Sequence, residues 1–201
     1  MFESYIIHKK AFIFELDNVL YPQKDYLLQV YYLFSEFMAY SEQTDAAAIL
    51  SFMQAEFAIA GETQLFEKTA IKFNIPSKYQ QNFELLHQNA RLPLKLLLYK
   101  QMLSFLQEIV LERKEICLLI VGDPLQQINK IKQMEWHGLE KYLKTYFTAE
   151  FEPDSLPKTI DFILTKRQLQ KEEILLISSS EEMEIFSTKS GISYLDMYKI
   201  I

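Results

Sequence analysis

The apolar residues of the chain fall into two kinds of pattern. Short continuous runs at 11–14, 116–121 and 174–177 are bounded by polar residues, which predicts strands buried on both faces of a parallel sheet. Two weaker strands are predicted at 146–148 and 194–198. Between the strands, longer stretches carry apolar residues at helical spacing. The pattern therefore predicts an α/β protein.

Helices are predicted at 94–112, 125–136 and 156–169, and a last helix is predicted to end near Gly191. Gly138 is the expected C-terminal cap of the second of these helices. Strands that alternate with helices across short connections form right-handed βαβ units. The predicted fold class is a Rossmann-like parallel sheet flanked by helices.

A block of helices interrupts this alternation. Its predicted helices cover residues 26–40, 46–60 and 64–73, and a fourth follows a capping-box pattern at 77–80. The expected organisation is an α/β core of residues 1–22 and 93–201 with an inserted all-α domain at 23–92. Aromatic residues recur at helical spacing in this block, which favours packing in a core over the alternative of a cofactor or lipid pocket.

Composition narrows the classes of function. The 201 residues carry a net charge of −6 and are 49% hydrophobic, which is enough for a sizeable core. Basic residues are scattered, so neither nucleic-acid binding nor binding to an anionic membrane is expected. No apolar run is long enough to span a bilayer, and the N-terminus does not resemble a signal peptide. A cytoplasmic protein is expected.

Cysteine and histidine give little support to a metal cage. Cys117 is the single cysteine and lies in an apolar run, so a buried and unreactive thiol is expected. His8, His87 and His137 are far apart in the sequence and have no acidic partners at ligand spacing. Packed or solvated histidines are therefore expected rather than a zinc site.

Candidate chemistry lies where the first strand ends. Glu15 and Asp17 follow the run 11–14, and parallel sheets present their ligand sites at the carboxyl ends of their strands. Two neighbouring carboxylates are costly unless they share a cation or a proton, which favours a site for Mg²⁺ and phosphate chemistry. In the alternative interpretation, both acids are solvated and Asn18 begins an ordinary turn.

The sequence FELDNVLYP at 14–22 resembles motif I of the haloacid-dehalogenase-like (HAD) superfamily, in the form found in its pyrimidine 5′-nucleotidase branch. The resemblance implies phosphoryl chemistry with Mg²⁺ and assigns the inserted helices to a C1-type cap. Glu15 stands where the family has its nucleophilic Asp, whereas Asp17 retains the general acid/base. Because Glu is one methylene longer than Asp, its carboxylate is displaced by about 1.5 Å, which impairs in-line attack.

The phosphate-binding motifs of the family are altered here. Residues 118–124 resemble motif II, but Gly122 replaces the phosphate-binding hydroxyl and Asp123 replaces the following Asn. A gap-free register of motif III puts Asp154 at the position of the family's lysine. Lys158 is then the only nearby cation, and it also fits an ordinary surface lysine at the start of a helix.

Residues 177–184 resemble motif IV, in which two serines at 178–179 replace the family's Gly-Asp pair. Glu184 lies near the position of the motif's second acid. If a metal binds, the resemblance implies Glu15, Asp17 and Glu184 as its ligands. The same segment also matches an ordinary capping box at the start of a helix.

The leading hypothesis is a HAD-like protein without standard phosphatase activity, which binds a small phosphorylated or anionic ligand or a partner protein. The first alternative is a weak, nucleotidase-like phosphohydrolase that requires Mg²⁺. In it, Glu15 and Asp17 are catalytic, and Gly122, Asp123 and Lys158 hold the phosphate. The second alternative is a structural scaffold whose cleft is filled in.

Overall fold

The computed structural model of the chain describes residues 2–151 and 155–201. Its helices are α1 (Glu3–Ile6), α2 (Lys24–Glu42), α3 (Ala46–Ala60), α4 (Leu65–Phe73), α5 (Gln80–Asn89), α6 (Lys100–Leu111), α7 (Pro124–Gln133), α8 (Leu156–Arg167) and α9 (Glu181–Ser190). Its strands are β1 (Ala11–Phe14), β2 (Leu96–Leu97), β3 (Glu115–Ile120), β4 (Met134–Glu135), β5 (Leu143–Phe147), β6 (Ile174–Ser178) and β7 (Ser193–Asp196).

Within the described residues, five strands form one parallel sheet in the order β5–β3–β1–β6–β7. The central strand β1 pairs with β3 on one side and β6 on the other, with Phe14 level with Leu118 and Ile177. The predicted parallel α/β sheet is confirmed. Because the three central strands run in the same direction, their carboxyl ends meet at one edge of the sheet.

Both faces of β1 are covered, which explains the absence of polar alternation in its sequence. Phe12 and Phe14 pack with α1, α2 and α6 on one face of the sheet, where Phe105 is the central aromatic residue. Ala11 and Ile13 point to the other face and pack with α8 and α9. Side chains of a strand alternate between faces, so these four consecutive residues contribute to two separate cores.

The helices α2–α5 lie between β1 and β2 and have an aromatic core of their own. The ring centroids of Phe34 and Phe83 are 5.0 Å apart, and those of Phe34 and Phe66 are 5.9 Å apart. The aromatic residues of this block therefore pack against one another, as expected. Asp45 caps α3, since its carboxylate accepts a hydrogen bond of 3.1 Å from the backbone N–H of Ala48.

Two predicted helix boundaries are wrong for one common reason. The stretch predicted as a helix from residue 94 becomes helical only at Lys100, and the helix predicted to reach Trp136 ends at Gln133. Just before α6, Leu96–Leu97 form β2, and just after α7, Met134–Glu135 form β4. These two strands pair with each other. This non-local pairing also removes Gly138 from the predicted role of helix cap. The pattern at 77–80 likewise begins with a 3₁₀ turn, and α5 starts at Gln80.

Burial of the single cysteine is confirmed. Cys117 lies inside β3 with no exposed surface, and burial raises the pKa of its thiol to about 12. The thiolate, which is the reactive form, is therefore disfavoured. Within residues 2–151 and 155–201, no helix combines the length and the apolar character needed to cross a bilayer.

The packing of Phe105 yields a test of the core between the sheet and α6. Its ring contacts those of Phe2, Phe12 and Phe14, with centroids 4.8, 5.7 and 6.0 Å away. We expect Phe105→Ala to lower the free energy of unfolding by about 4 kcal/mol, measured by urea denaturation. As control, Tyr40→Ala removes a ring that is 90% exposed and should change it by less than about 0.5 kcal/mol. Equal effects of the two substitutions would contradict this packing.

Candidate functional site

The candidate site lies at the edge where β1, β3 and β6 end. Glu15 directly follows β1, and its backbone N–H donates to the carbonyl of Ile177 at 3.4 Å. Ser178 is the last residue of β6, and Gly122 follows β3 after one intervening residue. The strand order therefore brings the altered motifs I, II and IV together at one edge of the sheet.

Glu15 is held by the serine that occupies the motif IV position. The hydroxyl of Ser178 donates a short hydrogen bond to Glu15 Oε2, and it accepts one of 2.9 Å from the backbone N–H of Ser180. Burial raises the pKa of Glu15; the Ser178 hydrogen bond opposes this shift, while the charges of Glu182 and Asp17 add to it. Burial therefore makes ionisation of Glu15 less favourable than ionisation of an exposed glutamate.

Asp17 is fully engaged by side chains of the protein. Its Oδ1 accepts a hydrogen bond of 2.6 Å from the hydroxyl of Tyr21. Its Oδ2 accepts from Gln127 Nε2 at 2.9 Å and forms an ion pair of 2.7 Å with Lys130 Nζ. Both oxygens therefore act as acceptors, and Oδ2 is paired with an ammonium.

A tight turn after β1 brings Tyr21 back to Asp17. Asn18 has a φ of 57°, in the left-handed region that Asn tolerates better than most residues. Its side-chain oxygen accepts from the backbone N–H of Gln23 at 3.1 Å, which closes the turn. The turn predicted at Asn18 is therefore present, but it is part of the site and does not leave Asp17 solvated.

Lys130 is a residue of the candidate site that the sequence analysis did not identify. It lies on α7 one turn after Gln127, so both side chains project from the same helix face toward Asp17. Its side chain is 1% exposed, and its ammonium lies 5.0 Å from the ring centroid of Tyr26. The sequence directed attention to Lys158, the cation nearest to motif III. The sequence feature that could have identified Lys130 is its spacing of three residues from Gln127, which puts both side chains on the same face of α7.

Gly122 and Asp123 have structural roles in the described contacts. Gly122 has a φ of 93°, a backbone conformation that favours glycine, which accounts for its place in the chain. Asp123 is the N-cap of α7, and its Oδ1 accepts from the backbone N–H of Leu125 at 2.8 Å. Its Oδ2 accepts from Gln88 Nε2 of α5 at 2.7 Å, which links the helical block to the sheet edge.

The other candidate residues are placed as follows. Asp154 lies outside the described residues. Lys158 is exposed in the first turn of α8. Glu184 is exposed on α9, which Ser180 caps by accepting from the backbone N–H of Met183 at 3.2 Å. The acid of α9 that approaches Glu15 is Glu182.

The donor groups, as arranged, do not fit Mg²⁺. Mg²⁺ needs oxygen ligands in near-octahedral geometry, and carboxylates supply its charge balance. The charge of Asp17 is already balanced by Lys130, and Glu15 is bound to Ser178. Across residues 2–151 and 155–201, no group of three or more His, Cys, Asp and Glu side chains is placed to hold a metal ion.

Two cavities adjoin Glu15. The inner cavity has a volume of about 100 Å³ and is lined by Glu15, Asp17 and Gln127 among others. The outer cavity has a volume of about 400 Å³ and extends from Glu15 to the first turns of α8 and α9. The sheet edge therefore retains space for a small ligand beside the engaged Asp17.

His87 lies where the helical block meets this edge. Its backbone carbonyl accepts a short hydrogen bond from the hydroxyl of Tyr26, and its Nδ1 lies 3.4 Å from Gln126 Nε2 and 3.9 Å from Glu62 Oε1. Burial lowers the pKa of His87 to about 4, and the charge of Lys130 contributes to this shift. His87 is therefore neutral at pH 7 and adds no second positive charge beside Lys130.

The buried ion pair can be tested by a double-mutant cycle. Lys130→Met leaves Asp17 without its counter-charge, so we expect a loss of about 3 kcal/mol in the free energy of unfolding at pH 7. Adding Asp17→Asn should recover part of this loss. Lys132→Met, an exposed position on the same helix, is the control and should cost less than about 0.5 kcal/mol. Similar losses at the two lysines would contradict the assignment.

The depressed pKa of His87 predicts a pH dependence of stability. The unfolded chain takes up a proton at an ordinary pKa near 6.5, whereas the folded protein does so only near 4, so stability is lost as the pH falls through this window. Between pH 7 and pH 5 this amounts to about 2 kcal/mol, which His87→Gln should remove from the difference between the two pH values. Glu62 and Lys130 face the ring and remain in the variant.

Exposed His8 gives the matched control, because His8→Gln should leave the pH dependence of urea denaturation as in the wild type. A His87→Gln protein with the wild-type pH dependence would show that His87 is not the titrating group.

Comparisons with known proteins add to this geometry. The sequence matches no protein-family model and no curated protein. A hydrolase from Streptococcus pneumoniae is similar in structure, with a TM-score of 0.56 and 14% identity over 94% of this chain and 92% of that chain. The UTR4 protein from Saccharomyces cerevisiae has a TM-score of 0.57 and 14% identity, covering 92% and 89% of the two chains.

An L-2-haloacid dehalogenase from Xanthobacter autotrophicus has a TM-score of 0.51 and 13% identity, covering 92% of this chain and 76% of that chain. At these identities the likeness concerns the fold, and activity has to be argued from the site. The nucleotidase branch stays a prediction. The chain has the fold of the haloacid-dehalogenase-like hydrolases.

Proposed function

We propose that this chain is a catalytically degenerate protein of the HAD-like hydrolase fold that acts by binding a small ligand at the edge of its sheet. The observation that supports this most is the ion pair between Lys130 Nζ and Asp17 Oδ2 at 2.7 Å. It engages the one side chain that matches the acid/base position of the family motif.

Phosphoryl transfer by this arrangement would need two opposite protonation states. The nucleophile must be ionised to attack, and the acid must carry a proton to release the leaving group. Burial raises the pKa of Glu15, which opposes ionisation of the nucleophile position. Asp17 accepts hydrogen bonds at both oxygens and pairs with an ammonium, an arrangement that opposes its use as a proton donor.

The length of the Glu15 side chain also argues against phosphoryl transfer. Its extra methylene moves the carboxylate relative to the Asp of the family motif, and a displacement near 1 Å costs roughly a hundredfold in rate when in-line geometry is required. The Mg²⁺ expected from the motif would have to compete with the Lys130 ammonium for Asp17. We propose that the protein functions without a divalent cation.

Ligand binding remains compatible with all of these contacts. The outer cavity of about 400 Å³ lies beside Glu15 and does not require Asp17 to be released. A volume of this size is typical of small-molecule sites. Both helices that border it are capped by their own serines, Ser155 and Ser180, so its walls are held by local structure.

The proposal predicts no phosphatase turnover above background. We expect p-nitrophenyl phosphate and a set of nucleoside monophosphates, each with Mg²⁺, to be hydrolysed by the wild type no faster than by Asp17→Asn. Glu15→Asp should also stay at background, because it leaves Lys130 paired with Asp17. Product release is measured by absorbance and by a phosphate assay.

Glu15→Gln serves as a second reference, because it keeps the shape of the side chain and does not leave Lys130 unpaired. The proposal would be contradicted if the wild type turns over a substrate and Glu15→Gln abolishes this turnover while circular dichroism shows an intact fold. That result would support a weak phosphohydrolase.

A further inference from the structure

The chemistry of the two cavities beside Glu15 narrows the class of ligand. They share Glu15 and Val121 as walls, and Asp17 and Glu182 are the other acidic residues that line them. Of the described residues lining the two cavities, none is Lys, Arg or His. The charged side chains that line the site are thus acidic, where a phosphate site would use positive charge. The first turns of α8 and α9 also border the outer cavity, and Ser155 and Ser180 each accept a hydrogen bond from one backbone N–H of these turns.

The three acidic residues differ in whether a cationic side chain balances their charge. Asp17 is balanced by Lys130, which reaches it from α7. Among the residues that the structure describes, Ser178 is the side chain that hydrogen-bonds Glu15, and neither Glu15 nor Glu182 forms an ion pair. These two acids therefore have no cationic partner, which disfavours an anion beside them and favours a cation, whose charge would stabilise the ionised form of Glu15.

Gln127 supplies a second and independent observation. Its Nε2 donates to Asp17 Oδ2 at 2.9 Å and to the carbonyl of Val121 at 3.2 Å, which fixes the orientation of the amide. Its Oε1 is buried and accepts no hydrogen bond within the part of the chain that the structure describes. Because the residue is only 6% exposed, this acceptor is costly unless a donor from outside the chain reaches it.

Apolar side chains form one part of the outer cavity. Leu156 borders it from α8, and Met183 and Phe186 border it from α9. An amphipathic ligand would place a nitrogen with several N–H donors at Glu15 and its carbon skeleton against these side chains. A protonated primary amine meets both conditions, because it has three donors and a positive charge.

We propose that the cavities beside Glu15 bind a small primary amine with an apolar body, whose ammonium contacts Glu15, Glu182 and the free oxygen of Gln127. This inference rests on the proposed binding function and names its ligand class. It replaces the phosphorylated or anionic ligand expected from the motifs by one of opposite charge. The apolar body lies against Met183 and Phe186.

Phenethylamine is the probe, with 2-phenylethanol as its uncharged analogue and inorganic phosphate as the anion. We expect phenethylamine to raise the melting temperature of the wild type in a concentration-dependent way and to give a saturable heat in titration calorimetry. The alcohol and phosphate should produce no saturable shift at the same ionic strength. A shift with phosphate, or equal shifts with amine and alcohol, would overturn the proposal.

Substitutions of three glutamates distinguish specific binding of the amine from a general effect of negative charge. Glu15→Gln should weaken phenethylamine binding roughly tenfold or more, because it removes a largely buried carboxylate. Glu182→Gln, at an exposed carboxylate, should weaken it by about threefold. Glu184→Gln has the same charge change on the same helix but lies outside the lining residues, so its affinity should stay within about twofold.

Equal affinities of all three variants would refute the assignment. Absence of phenethylamine binding together with background phosphatase rates would refute the amine ligand and leave the proposed lack of catalysis standing. Specific turnover of a phosphate ester would refute that proposed function instead.

Discussion

The ion pair between Lys130 and Asp17 is the constraint on which the arrangement of the site depends. An ammonium with 1% exposure must have a counter-charge, because an isolated charge in the interior costs several kcal/mol. Asp17 supplies that charge, and Tyr21 and Gln127 complete its hydrogen bonds. The turn at Asn18 and the face of α7 then have to place these groups within reach of one carboxylate.

The same constraint determines what the sheet edge can offer to a ligand. With Asp17 satisfied internally, the other charged residues that line the two cavities are Glu15 and Glu182, and the oxygen of Gln127 is a further acceptor. A hydroxyl at Ser178 engages Glu15 and is itself fixed by the backbone of Ser180. The fold is shared with hydrolases, but what this site can bind has to be argued from its own side chains.

Asp123, which the motif resemblance assigns to phosphate binding, connects elements of the structure instead. Asp123 caps α7 and accepts a hydrogen bond from Gln88, so it joins the sheet edge to the helical block. The amide groups of Asn129 and Gln133 donate to the carbonyl of Ala90 at 2.9 and 2.8 Å, further along the same boundary. These side-chain hydrogen bonds join the helical block to α7, and neutral His87 lies at the same boundary, with its Nδ1 3.4 Å from Gln126 Nε2 of α7.

The sequence by itself determined the sheet and the place of the site, because continuous apolar runs predict buried parallel strands and the acids follow the first run directly. It also identified the inserted helices and the burial of Cys117. Only the tertiary structure decided where α6 begins and where α7 ends, since the pairing of β2 with β4 joins residues nearly forty positions apart. It alone revealed Lys130 as the partner of Asp17, because a lysine on a helix appears solvated in sequence until packing buries that face.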